Sequence, residues 1–124
     1  MNILSNKKIL VVICGGISAY KSLELIRGLK KKQVEIKTII TKSAKEFVTP
    51  LSITSLSQGK LYEDLFSSES ESEMDHISLS RWADLIIVVP ATANTISKLS
   101  NGLTDDLAST VLFCLLYTSD AADE

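Results

Sequence analysis

The segment Lys8–Cys14, with the sequence KILVVIC, decides the fold class of this 124-residue chain. It is apolar at nearly every position and is followed directly by Gly15 and Gly16. A short apolar run of this kind is typical of a strand buried on both faces, and such strands occur mainly in parallel sheets covered by helices. Val34–Thr41 and Leu85–Val89 are therefore predicted to be two further strands of the same sheet.

Helical patterns separate the three predicted strands. Leu23, Ile26 and Leu29 form one apolar stripe of a helix predicted over roughly residues 19–32. The other helical predictions rest on capping and turn residues: Ser43–Glu46 has the spacing of a capping box, a helix runs from Pro50 to near Gly59, another covers Thr92–Asn101 with Gly102 as its C-cap, and a last one starts at Thr104. This alternation predicts an α/β fold with a doubly wound parallel sheet between two helical layers.

The chain is expected to hold only part of a domain. Three strong strands are fewer than the roughly five that such sheets usually contain. Residues 114–124 (CLLYTSDAADE) resemble a translated sequencing-adapter read-through. We therefore expect residues 1–113 to form a domain truncated at its C-terminal side and residues 114–124 to be a non-native tail. The acidic stretch Ser67–Glu73 is interpreted as a solvated loop.

Composition excludes several classes of protein. A hydrophobic fraction of 45% and a net charge of −2 describe an ordinary globular chain without the basic surface of a nucleic-acid binder. The longest apolar runs, Ile9–Cys14 and Val111–Tyr117, are too short to cross a bilayer. Cys14 and Cys114 lie in apolar runs without a CxxC partner, which indicates a reducing compartment and no cysteine metal site. We expect a cytoplasmic protein that binds neither nucleic acid, nor membrane, nor metal.

Small and polar residues follow each predicted strand. Gly15–Lys21 (GGISAYK) allows close backbone approach and presents the N–H groups of a helix start, which bind phosphate, and Ser18 adds a hydroxyl. Thr41–Ser43 can meet the same ligand, and a flat ring can lie against the small residues of Pro90–Thr95 (PATANT). With the strands in the order 2-1-3, all three motifs lie at the switch point where open α/β sheets bind ligands such as FMN.

Structural interpretations compete with these assignments. Gly15 and Gly16 also suit a tight turn, Ser43 suits the N-cap of its capping box, and one hydroxyl of PATANT suffices to cap a helix. His76 is the only histidine, and imidazole exchanges protons near neutral pH, although a lone histidine is usually structural. The carboxylates of Asn101–Leu107 fit helix capping and have no partner set for a metal.

Four segments, in this order and spacing, together resemble one known family. They are GGISAYK (Gly15–Lys21), TKSAKEFVTPL (Thr41–Leu51), DHISLSRWADL (Asp75–Leu85) and PATANTISKLSNGLTDDL (Pro90–Leu107). They are similar to the homo-oligomeric flavin-containing cysteine decarboxylases, over about residues 5–113. Within that family the likeness is greatest to members that decarboxylate 4′-phospho-N-pantothenoylcysteine in coenzyme A biosynthesis.

The resemblance implies a fold, a cofactor and a reaction. The fold would be a Rossmann-like, flavodoxin-type domain of three α/β/α layers that binds FMN and assembles as a trimer or dodecamer. The phosphorylated, cysteine-containing substrate would be oxidised, lose carbon dioxide and be reduced again to 4′-phosphopantetheine. His76 matches the family's active-site histidine. The cofactor-binding residues implied are Gly15, Gly16, Ser18, Thr41 and Ser43 on the phosphate and ribityl side, and Ala91, Thr92, Ala93 and Asn94 beside the isoalloxazine.

The chain also departs from the family's pattern. A later Pro-Ala-Met-Asn segment, a flap cysteine and a synthetase domain are not present in these 124 residues. Cys114 lies too early for the flap role. The fragment is therefore expected to be incomplete for catalysis. Two alternatives stay open: a peptidyl-cysteine decarboxylase of the same family, and a non-catalytic flavin-binding module.

Overall fold

The computed structural model of the chain describes residues 5–63, 76–89 and Asn101. Among these residues the strands are β1 (Lys8–Ile13), β2 (Glu35–Ile40), β3 (Leu61–Tyr62) and β4 (Leu85–Val89). The α-helices are α1 (Lys21–Lys31), α2 (Pro50–Ser57) and α3 (His76–Trp82), and 3₁₀ turns cover Ile17–Tyr20 and Ser43–Glu46. The helices predicted after β4 and the proposed tail at residues 114–124 lie outside the described residues.

The described strands form one parallel sheet in the order β3-β2-β1-β4. β1 lies between β2 and β4, and its residues from Ile9 to Ile13 are at most 1% exposed. Continuous burial explains why this strand is an unbroken apolar run instead of an alternating one. The predicted order of the three strong strands, 2-1-3, is confirmed.

Helices cover the two faces of the sheet. Ile9, Val11 and Ile13 point to the face on which α1 and α2 contribute Ile26 and Ile53 to one buried cluster. The alternate residues of β1 belong to a second cluster, with Leu79 of α3, on the opposite face. The α/β/α layering and the doubly wound topology are therefore confirmed for the described part of the chain. None of the helices described within residues 5–63 and 76–89 is long and apolar enough to cross a bilayer.

β3 was not predicted from the sequence. It contains only Leu61 and Tyr62, which pair with Thr38 and Ile39 at the edge of the sheet. Two residues are too few to show a periodic pattern, so only the pairing with β2 defines this strand.

Gly59 is not the residue that ends α2. The left-handed residue at the C-cap is Gln58, with φ of 54°, so the predicted end of the helix is correct within two residues. A Cβ on Gly59 would lie 2.0 Å from the carbonyl oxygen of Ile36. The glycine is required because the chain passes directly against the backbone of β2 on its way into β3.

Thr38 carries a buried hydroxyl without a hydrogen-bond partner among the described residues, and the side chain is 0% exposed. An unsatisfied buried hydroxyl costs about 1–3 kcal/mol, so Thr38→Val, which keeps the shape, should raise the free energy of unfolding by about that amount. Thr54→Val is the matched control because the Thr54 hydroxyl donates to the carbonyl oxygen of Pro50 at 3.2 Å. Urea titration of both variants measures the free energy of unfolding. A Thr38→Val protein less stable than the wild type would contradict the prediction.

Candidate functional site

The carboxyl ends of β1, β2 and β4 are level. Ile13 pairs with Ile40 on one side and with Val89 on the other. The pairing continues for one step, since the Thr41 N–H donates to the Ile13 carbonyl at 3.0 Å and the Cys14 N–H donates to the Val89 carbonyl at 3.3 Å. The chain therefore leaves all three strands at one edge of the sheet, which we call the carboxyl edge.

The segment after β1 leads directly into a helix. Gly15 and Gly16 precede the 3₁₀ turn Ile17–Tyr20, which runs straight into α1. The buried Ala19 fixes this turn through its N–H, which donates to the Gly16 carbonyl at 2.9 Å. The first N–H groups of a helical turn lack acceptors within the helix, and Ser18 beside them is partly exposed. The carboxyl edge thus offers backbone donors and a hydroxyl at one point.

The segment after β2 corrects the predicted capping box. The cap residue of the 3₁₀ turn is Lys42, in a helical conformation and without a side-chain cap, so Ser43 is not the N-cap. Thr41 replaces it, because its hydroxyl oxygen accepts from the Ala44 N–H at 3.3 Å. The Ser43 hydroxyl lies 3.4 Å from the Thr41 hydroxyl instead, on an exposed residue. The structural interpretation of Ser43 as a cap is wrong, and its hydroxyl is available to a ligand.

Gly15 and Ser43 bring these two segments into contact. A Cβ built on Gly15 would lie 2.4 Å from the Ser43 hydroxyl oxygen and 2.7 Å from its Cβ. Real side chains do not tolerate such distances, so the glycine is required by the spacing of the two segments. The phosphate-binding pattern after β1 and the hydroxyl pair after β2 therefore belong to one surface.

An ion pair links the turn after β2 to the residue that follows β3. Lys45, in the turn Ser43–Glu46, pairs with Glu63, which directly follows β3. Neither residue was singled out from the sequence. Their pairing depends on β3, and the short strand left no signal by which they could have been found.

α3 runs from the carboxyl-edge side of the sheet toward its amino edge. Its C-terminal end is fixed at the amino edge of the sheet, where the Lys8 N–H donates to an Asp84 carboxylate oxygen at 2.8 Å and the Asp84 N–H donates to the Lys8 carbonyl at 2.7 Å. A helix that joins parallel strands runs antiparallel to them. His76, the first residue of α3, therefore begins the helix on the carboxyl-edge side. The side chain of His76 lies outside the described residues.

Lys37 connects β2 to the end of α3. Its ammonium nitrogen lies 4.5 Å from the centre of the Trp82 ring, a cation–π contact. Burial lowers the pKa of Lys37, the nearby charges of Lys8 and Lys60 lower it further, and Glu35 opposes them. Trp82 is half-buried among the apolar residues of this face and does not lie at the carboxyl edge.

The described structure thus covers about half of the predicted cofactor-binding set. Gly15, Gly16, Ser18, Thr41 and Ser43 lie together at the carboxyl edge. Ala91, Thr92, Ala93 and Asn94 follow the end of β4 and lie outside the described residues. Among residues 5–63 and 76–89 no group of three or more His, Cys, Asp or Glu side chains is placed to hold a metal ion.

A model of the Flavoprotein family matches residues 2–119, nearly the whole chain. The chain belongs to the Flavoprotein family. The coenzyme A biosynthesis bifunctional protein CoaBC of Bacillus subtilis (strain 168) is 44% identical over 109 residues, which are 88% of this chain and 27% of that protein. The chain spans 27–29% of the length of such curated relatives.

Three solved structures share the fold of this Flavoprotein domain. A phosphopantothenoylcysteine (PPC) decarboxylase variant complexed with pantothenoylaminoethenethiol aligns with a TM-score of 0.73 at 30% identity, over 91% of this chain and 63% of that one. The peptidyl-cysteine decarboxylase EpiD gives 0.73 at 27% identity, over 89% and 64%. The FMN-binding protein AtHal3 gives 0.73 at 28% identity, over 87% and 59%. The flavodoxin-like α/β fold and the family predicted from the sequence are confirmed.

Proposed function

We propose that this chain contains the FMN-binding core of a decarboxylase that converts 4′-phospho-N-pantothenoylcysteine to 4′-phosphopantetheine in coenzyme A biosynthesis. The observation that carries the proposal is the contact between Gly15 and Ser43, which joins two ligand-binding patterns at the carboxyl edge. Membership in the Flavoprotein family and 44% identity to a CoaBC protein support it.

The residues at the carboxyl edge fit a phosphorylated cofactor. The helical turn after β1 presents N–H groups with the dipole of α1 behind them. Ser18, Thr41 and Ser43 add hydroxyls to the segments after β1 and β2, and there is no acidic side chain between Gly15 and Ser18 or between Thr41 and Ser43. We assign the phosphate and ribityl chain of FMN to these residues, and the isoalloxazine to Ala91, Thr92, Ala93 and Asn94.

The protein and the cofactor have separate tasks in the reaction. Bound FMN would supply two-electron redox chemistry, which places the substrate carboxylate β to an electron sink. The residues of the chain bind the phosphate, orient the ring and position the substrate. We assign His76 as the group that accepts a proton or pairs with the substrate carboxylate, because it begins its helix on the carboxyl-edge side of the sheet.

A peptide substrate is the second candidate. The similarity to EpiD, at 27% identity and a TM-score of 0.73, supports it. We favour the phosphorylated small molecule because the curated relative at 44% identity is a coenzyme A biosynthesis protein.

The test uses the full-length protein, meaning the complete product of the open reading frame. It is incubated with 4′-phospho-N-pantothenoylcysteine and, separately, with a peptide that ends in cysteine, and the products are followed by mass spectrometry. Loss of carbon dioxide from the phosphorylated substrate alone supports the proposal. Turnover of the peptide alone favours the second candidate, and a yellow protein that converts neither is a non-catalytic flavin-binding module.

Assembly and domain boundaries are part of the same proposal. Ile17 is 84% exposed and Leu51 is 75% exposed, and both lie in segments that follow the carboxyl ends of β1 and β2. Large exposed apolar side chains favour association, so we propose a homo-oligomer, a trimer or dodecamer, which sedimentation of the full-length protein would measure. We also propose that the native domain sequence departs from this chain after residue 113, which genomic sequence beyond that codon would test. Cytoplasmic location stays a prediction.

A further inference from the structure

The turn that carries Ser43 is held from two sides. Ala44 is completely buried, and its N–H donates to the hydroxyl oxygen of Thr41. The next residue, Lys45, forms an ion pair with Glu63, which directly follows β3. Ser43 directly precedes Ala44, and its hydroxyl and Cβ lie against Gly15.

We propose that Lys45 and Glu63 are positioning residues for the FMN site. The inference rests on the proposed function, since it concerns how Ser43 is held toward the cofactor. The ion pair ties the turn Ser43–Glu46 to the sheet through β3. It thereby holds the Ser43 hydroxyl in a constant position relative to the helical turn after β1. Both side chains are 43% exposed, which makes the pair weak and sensitive to salt.

If the ion pair positions Ser43, removing the charge of either Lys45 or Glu63 should weaken FMN binding to the same extent. Lys45→Gln and Glu63→Gln should each weaken FMN binding roughly two- to fivefold, which corresponds to the strength of an exposed ion pair. The charge-swapped double variant Lys45→Glu/Glu63→Lys should recover most of the affinity. Salt should reduce the difference between wild type and the single variants. FMN affinity is measured by quenching of flavin fluorescence in the full-length protein from which the flavin has been removed.

Glu63→Gln distinguishes positioning from a direct contact. If Lys45 itself binds the cofactor phosphate, freeing it from Glu63 will leave FMN affinity unchanged or increase it, and the charge swap will fail to restore binding. If the pair only stabilises the fold, urea midpoints will fall while FMN affinity stays constant. Either result would overturn the inference.

Two controls complete the design. Lys31→Gln removes an exposed charge from the last turn of α1 and should leave FMN affinity unchanged; an equal loss there would mean that only net charge matters. A wild-type protein that binds no FMN would refute the proposed function itself. A wild type that binds FMN, with single variants that bind equally well, would refute only the role of Lys45 and Glu63.

Discussion

Replacing His76 by Asn should reduce decarboxylation by about 10²–10⁴-fold while FMN stays bound. This is the usual size of a contribution from a group that exchanges a proton with the reacting molecule or stabilises its charge. Asparagine keeps hydrogen-bonding atoms but cannot act as a base at neutral pH. The cofactor residues assigned in the segments after β1 and β2 are untouched, so flavin absorbance per protein should not change.

Arg81→Gln is the matched control for His76→Asn. Arg81 is exposed in the last turn of the same helix, at the opposite end from His76. The control should retain wild-type turnover and wild-type flavin content. Turnover of His76→Asn at the wild-type rate would remove His76 from the mechanism, and loss of flavin from that variant would show that His76 serves the cofactor site instead.

The second large effect is expected at Gly15. In Gly15→Ala the new methyl group would lie against the Ser43 hydroxyl and Cβ, so the segments after β1 and β2 must separate. Overpacking of this kind costs about 1–3 kcal/mol. If this free energy destabilises only the FMN-bound arrangement of the two segments, FMN affinity should fall roughly 5- to 150-fold. Fluorescence quenching by the full-length protein measures this change.

Two comparisons show whether the cause is steric. Gly28→Ala places a methyl group in open space on the exposed side of α1, so FMN affinity should stay constant. Adding Gly15→Ala to Ser43→Gly brings the methyl group in after the Ser43 hydroxyl and Cβ have been removed, so the double variant should bind FMN nearly as tightly as Ser43→Gly alone. Unchanged FMN binding in Gly15→Ala would contradict the assignment of this contact to the cofactor site.

The fold was predictable wherever burial is continuous. β1 is apolar from Ile9 to Ile13 because both faces of the sheet are covered there, and such a run is visible without a structure. β4 is an equally apolar run, although Leu85 is exposed and its other residues are partly exposed. The start of α2 was predictable for a local reason. Pro50 occupies the first turn of that helix, and the Thr49 hydroxyl caps it by accepting from the Ser52 N–H at 3.1 Å.

The remaining features depend on contacts between distant segments. The spacing of Ser43 and Glu46 fits a capping box, but the turn begins one residue earlier and Thr41 caps it. No local pattern indicates that Ser43 lies against Gly15 or that Lys45 meets Glu63, because both contacts exist only after β1, β2 and β3 have paired.

The predicted site divides in the same way. Gly15, Gly16 and Ser18 could be predicted as cofactor-binding residues from the order of strand, glycines and helix, and their role, like that of Thr41 and Ser43, stays a proposal. The role of Ser43 was ambiguous until the structure showed that its hydroxyl is not used as a cap. The assignments of His76, Ala91, Thr92, Ala93 and Asn94 rest on the family resemblance and stay proposals.

The most informative measurement compares FMN with riboflavin, which lacks the phosphate. Both are titrated into the flavin-free full-length protein and followed by fluorescence quenching. Because the carboxyl edge is proposed to bind the phosphate through the N–H groups after Gly15 and the hydroxyls of Ser18, Thr41 and Ser43, FMN should bind at least about 100-fold more tightly, as expected for several charge-assisted hydrogen bonds. Equal affinities, or no binding of either flavin, would contradict a phosphate site at this edge.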